Sequence, residues 1–356
     1  MNKNTFGCRA LSVIALLLSV FFGIPGSSAA SPQEGPVRVC ATVPDLASLV
    51  REIGGEEVSV TVFTKPTEDT HFVEAKPSFV KALSQAELFV LMGLDLEAGY
   101  APVLVRNARN ENVLFKAKGY VDASSVIQPI EVPAGTVDRS MGDVHPFGNP
   151  HYLHDPLNGL KVSEYLKNKL SETRPAKKQY FEGRYEAFRS KLGEALVGKT
   201  LAGKYKVEFE KLARLHEHGK LLDYVKKQGE EASLGGWLGA IAPFYGAKAV
   251  ADHNQWPYFA IRFGLTIVGS MEPKPGITPT TKHLSGLVEM MKRENVKLVL
   301  AAPYYDPKHA KFLAEKTGGT IVEMAHLVGA RQGTDDYVSM VDYNVKRVVA
   351  ALKGGK

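Results

Sequence analysis

Short β-branched runs alternating with amphipathic stretches of helical period most constrain this chain. The runs fall into two blocks: Val37–Val43, Val58–Phe63, Leu88–Met92 and Val113–Phe115, then Ala247–Asp252, Leu265–Val268, Lys297–Ala301 and Thr320–Met324. Strands of nearly unbroken apolar character are buried on both faces, which requires a parallel sheet covered by helices on each side. Helical spacing follows most runs, over Leu46–Ile53, Phe79–Gln85, Ala101–Arg109, Tyr258–Phe263, Thr281–Glu294 and Lys308–Lys316. Asp45 is the expected cap of the first of these helices, and Asp335 or Asp336 of the closing one through Leu352. The blocks flank a stripe of Leu160, Val162, Tyr165, Leu166 and Leu170, continued by Tyr185, Phe188, Leu192 and Leu196, with Pro175 marking a break. The expected fold is α/β: two Rossmann-like lobes with parallel sheets, joined by a long backbone helix.

The boundaries follow the same pattern. Lys3 and Arg9, an apolar Leu11–Ile24 and the small residues Ser28-Ala29-Ala30 predict a signal peptide over 1–30, cleaved near Ala30. Cys8 precedes the apolar run, so a lipidated cysteine at the cleavage site is not expected. No later run reaches the roughly 20 apolar residues of a membrane-spanning helix. The N-terminal lobe is expected over 31–157, the linking helix over 158–198 and the C-terminal lobe over 199–356, with a helical insertion near 200–236. The mature chain, about 325 residues, retains only Cys40 and forms no internal disulfide. Lys and Arg outnumber Asp and Glu by only 44 to 38, and the basic residues form no patch interleaved with aromatics. Nucleic acid is therefore not an expected partner.

Chemistry concentrates in the histidines. His145, His151 and His154 lie within ten positions, in a proline- and glycine-punctuated loop. In parallel α/β sheets, ligands sit beyond the carboxyl ends of the strands. His71 follows the second run, His253 and His326 directly follow later ones, and His151 precedes the linking helix. All four can reach one cleft. Four neutral imidazoles suit Zn²⁺, whereas Mn²⁺ prefers oxygen donors. His145 and His154 are candidates for an outer shell or the surface. Asp69, Asp155 and Asp252 are candidate carboxylates behind the rings. His216, His218, His283 and His309 read as surface residues.

These residues resemble the solute-binding proteins of zinc and manganese ABC importers over nearly the whole mature chain. The matching elements are Asp69-Thr70-His71, Pro150-His151 with Asp155-Pro156, and His253 followed by Tyr258-Phe259 and Phe263-Gly264-Leu265. The resemblance implies a periplasmic receptor, a monomer, that delivers its ion to an ABC-type membrane permease, with a periplasmic metallochaperone as a candidate partner. It also implies that the linking helix limits lobe motion. Manganese members usually carry glutamate at the third ligand, so His253 favours zinc over manganese or iron. The fourth ligand there is typically a carboxylate. Here His326 holds the place, leaving His326, a carboxylate such as Asp306 or Asp335, and water as alternatives. The His-rich acidic loop that often precedes the second ligand is absent, and the His151–His253 interval is a few tens of residues longer than usual. The competing reading is a zinc hydrolase, with three histidines, an open coordination position, and Glu97 or Asp306 as base. Neither His-Glu-x-x-His nor Gly-x-Ser-x-Gly supports it.

Overall fold

A computed structural model describes residues 35–135, 137, 144–206, 208–274 and 276–354. The expected signal peptide, its cleavage point and Cys8 lie outside these residues. The first lobe runs β1 (Val37–Ala41), α1 (Pro44–Gly54), β2 (Val58–Val62), α2 (Pro77–Leu83), β3 (Leu88–Leu91), α3 (Ala101–Ala108) and β4 (Tyr120–Asp122). After it come α4 (Pro156–Thr173), a short 3₁₀ turn from Pro175 to Lys177, and α5 (Lys178–Val197). The expected linking helix is thus α4 and α5, with the break at Pro175 where it was expected. Pro175 cannot donate the amide that continuity needs.

Four short helices follow: α6 (Lys199–Tyr205), α7 (Phe209–Glu217), α8 (Leu221–Lys227) and α9 (Gly236–Ile241). The second lobe is β5 (Ala247–Ala251), α10 (Pro257–Phe263), β6 (Leu265–Ser270), α11 (Thr281–Arg293), β7 (Leu298–Ala301), α12 (Pro307–Thr317), β8 (Thr320–Glu323) and α13 (Tyr337–Leu352). Both sheets are parallel and share one plan, β2-β1-β3-β4 and β6-β5-β7-β8. In each, the first strand of the block lies inside and its chain neighbour at the edge. One apolar cluster joins the lobes, running from Val39 and Leu46 through Leu160, Phe188 and Leu192 to Trp256, Tyr337 and Val345. Smaller clusters cover the outer faces, around Phe89 and Leu104 in one sheet and Val299 and Leu313 in the other. Each sheet therefore has both faces buried, as its apolar strands require.

Three local expectations are corrected. Val113–Phe115 is not a strand: Glu111–Val113 is a 3₁₀ turn, Phe115 is 71% exposed and Lys116 has φ +67°. The Gly119 amide closes this loop on the Asn112 carbonyl, and the edge strand forms after it. Asp45 does not cap α1, because Pro44 opens that helix; the Asp45 carboxylate instead accepts from the Val328 amide at 3.2 Å. His216 is buried rather than solvated, because Phe209, Leu212, Ala213 and His216 form the inward stripe of α7. His218 is exposed, as expected. The closing helix is capped by Asp336, whose side chain accepts from Ser339 N while Ser339 Oγ accepts from Asp336 N.

Candidate metal site

Three loops at the carboxyl ends of the sheets, with the crossover loop before α4, bring histidines together. His71, His151 and His253 place one ring nitrogen each within 4.8 Å of the others. Among the described residues this is the group of three or more His, Cys, Asp or Glu side chains so arranged. The ring centres of His71 lie 5.3 Å from both His151 and His253, and those two are 5.5 Å apart.

Each ring is aimed by its surroundings. Asp69 Oδ1 accepts from the His71 backbone amide at 3.0 Å and lies 2.7 Å from His71 Nδ1. Glu272 Oε2 lies 2.7 Å from His253 Nδ1. A carboxylate on Nδ1 fixes the proton there and leaves the Nε2 lone pair free for a cation. The Asp69 carboxyl would be raised by burial, but its bonds to His71 outweigh this and hold it below the usual range. His151 Nε2 is buried without a hydrogen-bond partner, a costly state for a polar atom unless a ligand satisfies it. Burial, then the charges of His71 and His253, push the His151 ring well below the ordinary imidazole value. It is a neutral base at physiological pH.

The His151 loop is fixed from several sides. Gly148 has φ +105°, and a Cβ there would come within 2.8 Å of Pro129 and 2.9 Å of the Ile130 carbonyl. Asn149 N donates to Ile130 O, and Asn149 Oδ1 accepts from His151 N. The Tyr258 hydroxyl donates to Asn149 O, and Tyr152 donates to Met92 O. Glu131 Oε2 accepts from both Asn149 Nδ2, at 2.9 Å, and Asn254 Nδ2, at 2.8 Å, linking the loops that carry His151 and His253.

The remaining candidates separate clearly. His326 is not brought into the three-histidine group. Its Nε2 donates to the Glu68 carbonyl at 3.1 Å and its ring packs on Tyr304 at 4.5 Å, so it props the His71 loop. His154 is buried and stacks on Trp256 at 4.6 Å. Burial pushes His154 down to about 3 and His326 to about 4. His145 stands next to His71, with 3.2 Å between their Nε2 atoms. Its half-buried ring is also pushed down to about 3, first by burial and then by His71 and His253. His145 lies outside the three-histidine group, but it lines a small cavity with His151 and His253, and its ring stacks on that of His71 with centres 5.2 Å apart.

Of the candidate carboxylates, only Asp69 lies behind a ring. Asp155 caps α4 and forms a buried pair with Arg262 at 2.7 and 2.9 Å. Arg262 also donates to Ala213 O and pairs with Glu217, anchoring α7 to the second lobe. Asp252 accepts from the amides of His253 and Ala302 and from Gln255 and Trp256, so it shapes the turn rather than the ring. Glu272 is missing from the sequence reading. Its signal is positional: it follows β6, the neighbour of the strand that His253 follows, and its amide bonds to Asp252 O. Asp306 is exposed, caps α12 and pairs with Lys308. Glu97 accepts from Thr42 Oγ1 and the amides of Met92 and Gly93, which makes it a brace for the turn after β3.

A profile of the ZnuA family, described as zinc-uptake complex component A, periplasmic, matches residues 39–201 and 238–351. The chain belongs to the ZnuA family. Proteins of this family are metal-binding substrate receptors of ABC transporters rather than enzymes. The unmatched interval, 202–237, coincides with the helical insertion. The metal ABC transporter substrate-binding lipoprotein SloC of Streptococcus mutans is 21% identical over 350 residues, covering 97% of this chain and 99% of that protein. The manganese ABC transporter substrate-binding lipoprotein PsaA of Streptococcus pneumoniae is 21% identical over 351 residues, with 97% and 99% covered. A crystal structure of ZnuA superposes with a TM-score of 0.63 at 20% identity, covering 89% of this chain and 99% of that one. This ZnuA likeness carries the two-lobed fold with its long helix.

Proposed function

We propose that this ZnuA-family chain is a periplasmic zinc receptor, exported by its N-terminal signal peptide, which delivers Zn²⁺ to the permease of an ABC importer. His71, His151 and His253 hold the ion between an N-terminal and a C-terminal lobe. The observation that carries this reading is the donor chemistry of the cluster. Its converging atoms are nitrogens, and the two nearby carboxylates are already spent on the far sides of the rings. Neutral imidazoles suit Zn²⁺, and Mn²⁺ favours oxygen.

A manganese or iron receptor of the same family is the second reading, favoured by relatives such as PsaA that are named as manganese proteins. One experiment separates the two. Stripped protein is titrated with Zn²⁺ and with Mn²⁺, and its melting is followed. A ligand at 100 times its Kd adds about 2.7 kcal/mol to the folded state. Zinc is expected to raise the melting temperature at much lower concentration than manganese. Equal responses, or a response to manganese alone, would overturn the zinc assignment.

A further inference from the structure

We infer that His145 is the fourth ligand of the ion, completing an all-imidazole site. The inference rests on the metal-receptor reading above and goes beyond it, because it assigns a role to a ring that neither the strand-end pattern nor the matching motifs select.

The argument starts from a distance. With Zn–N bonds of roughly 2.0–2.1 Å, two nitrogens on a tetrahedral zinc lie roughly 3.3–3.4 Å apart. The Nε2 atoms of His71 and His145 are 3.2 Å apart. Asp69 already occupies His71 Nδ1, so the Nε2 facing His145 is the atom available to a cation. His145 also lines a cavity of about 60 Å³ together with His151, His253, Asn149, Asn254 and Glu131. The ring thus borders the same space as His151 and His253.

The position that follows the last strand is committed elsewhere. His326 Nε2 is bonded to the Glu68 carbonyl, and its other nitrogen, Nδ1, is buried without a partner. The His326 ring lines a second cavity, with Asp45, Thr70, Leu96, His154 and, on one side, His151, but with neither His71 nor His253. A plain hydrogen bond between His145 and His71 also fits 3.2 Å, with the His145 Nε2–H donating. Metal entry then requires only that the proton of neutral His145 move from Nε2 to Nδ1, with no net proton released. The two roles differ in what a glutamine at 145 can do. Its amide can donate to His71 Nε2, but it cannot present an imidazole nitrogen to the ion.

The test uses the mature chain as wild type and as His145→Ala, His145→Gln, His326→Ala and His151→Ala, each loaded with Co²⁺ and separately with Zn²⁺. Visible absorption of the cobalt form reads the coordination sphere, and competition with a chelator reads zinc affinity. Both His145 variants are expected to keep one ion per chain, change the cobalt spectrum in the same way, and lose more affinity than the ~10–100-fold typical of an outer-shell partner. His326→Ala is expected to keep the wild-type spectrum. Wild-type spectrum and affinity in both His145 variants would overturn the proposal. So would rescue by glutamine, or a spectrum altered only in His326→Ala. X-ray absorption of the zinc-loaded wild type provides a check that needs no variant: four imidazoles support the proposal, and three with an oxygen overturn it. If the metal-receptor reading itself is wrong, the signature is different, since wild type and His151→Ala alike would then bind neither ion.

Discussion

Two groups of histidines meet at His151, and they are built differently. In one group, His71 and His253 each have a carboxylate at Nδ1. In the other, His154 and His326 have no carboxylate among their hydrogen-bond partners; they lie on Trp256 and Tyr304, and their Nδ1 atoms are buried without a partner. Burial keeps His145 and His151 on one side and His154 and His326 on the other neutral in the same way. A depressed imidazole is therefore not what distinguishes a candidate ligand here. What sets His71 and His253 apart is the acceptor behind the ring, which selects the tautomer and leaves the other nitrogen free. An aromatic neighbour and a backbone carbonyl instead turn the ring into a packing unit.

The sharpest way to break this contrast is His151→Ala. Wild type is expected to bind one zinc per chain and the variant essentially none, as read by metal analysis after dialysis. Retention of stoichiometric zinc would mean that the two groups are not functionally distinct. Next in size is Arg262→Ala, which strands the Asp155 carboxylate in the interior. Breaking one partner of a buried pair costs about 3–5 kcal/mol, so the denaturation midpoint should fall steeply while zinc stoichiometry in the folded protein is kept. Loss of zinc without loss of stability would place Asp155 among the ring-orienting carboxylates after all.

Glu272→Ala removes the acceptor behind His253. Zinc affinity should drop by about 10–100-fold, with apo stability little changed. An unchanged affinity in chelator competition would remove the carboxylate from the explanation. The smallest effect concerns His154, His326 and acid. His154 and His326 titrate near 3 and 4 when folded and near 6.5 when unfolded, so the unfolded chain takes up protons first as the pH falls. Their contribution is complete above about 6.5 and is lost progressively toward the folded values, by about 2 kcal/mol per ring at pH 5. Asp45 and Glu97, raised by burial to about 7, act with the opposite sign, because the folded state keeps protons that the unfolded chain releases above about 4. A comparison of apo wild type with His154→Phe cancels the carboxylates. The variant should lose less stability between pH 7 and pH 5, and equal losses would contradict the burial argument.

Much of the fold was legible because buried parallel strands have an unambiguous signature. The β1, β3 and β5 runs were located to within a residue or two. The edge strand β4 was not. Edge strands are short, and the apolar Val113–Phe115 lost to a loop closed by Gly119 and Asn112. His71, His151 and His253 could be read because strand ends and prolines mark the loops that carry them. Glu272 could not, since it lies 19 residues from His253 and only the pairing of β5 with β6 brings the two together. His326 was selected because it directly follows a strand, and its Nε2 is instead bonded to the Glu68 carbonyl. The insertion expected near 200–236 read as charged and helical, but its partner, Arg262, is visible only in three dimensions.

One contact at the rim has kinetic weight. Glu131, held at φ +56°, is a single carboxylate clasped by amides from both halves of the crevice, and Asn149 adds a bond to the Asn254 carbonyl. Parting the halves would break both bonds to Asn254 together and leave the Glu131–Asn149 bond in place. The dwell time of a bound ion is therefore expected to depend on these two Asn254 bonds as well as on the coordinating rings.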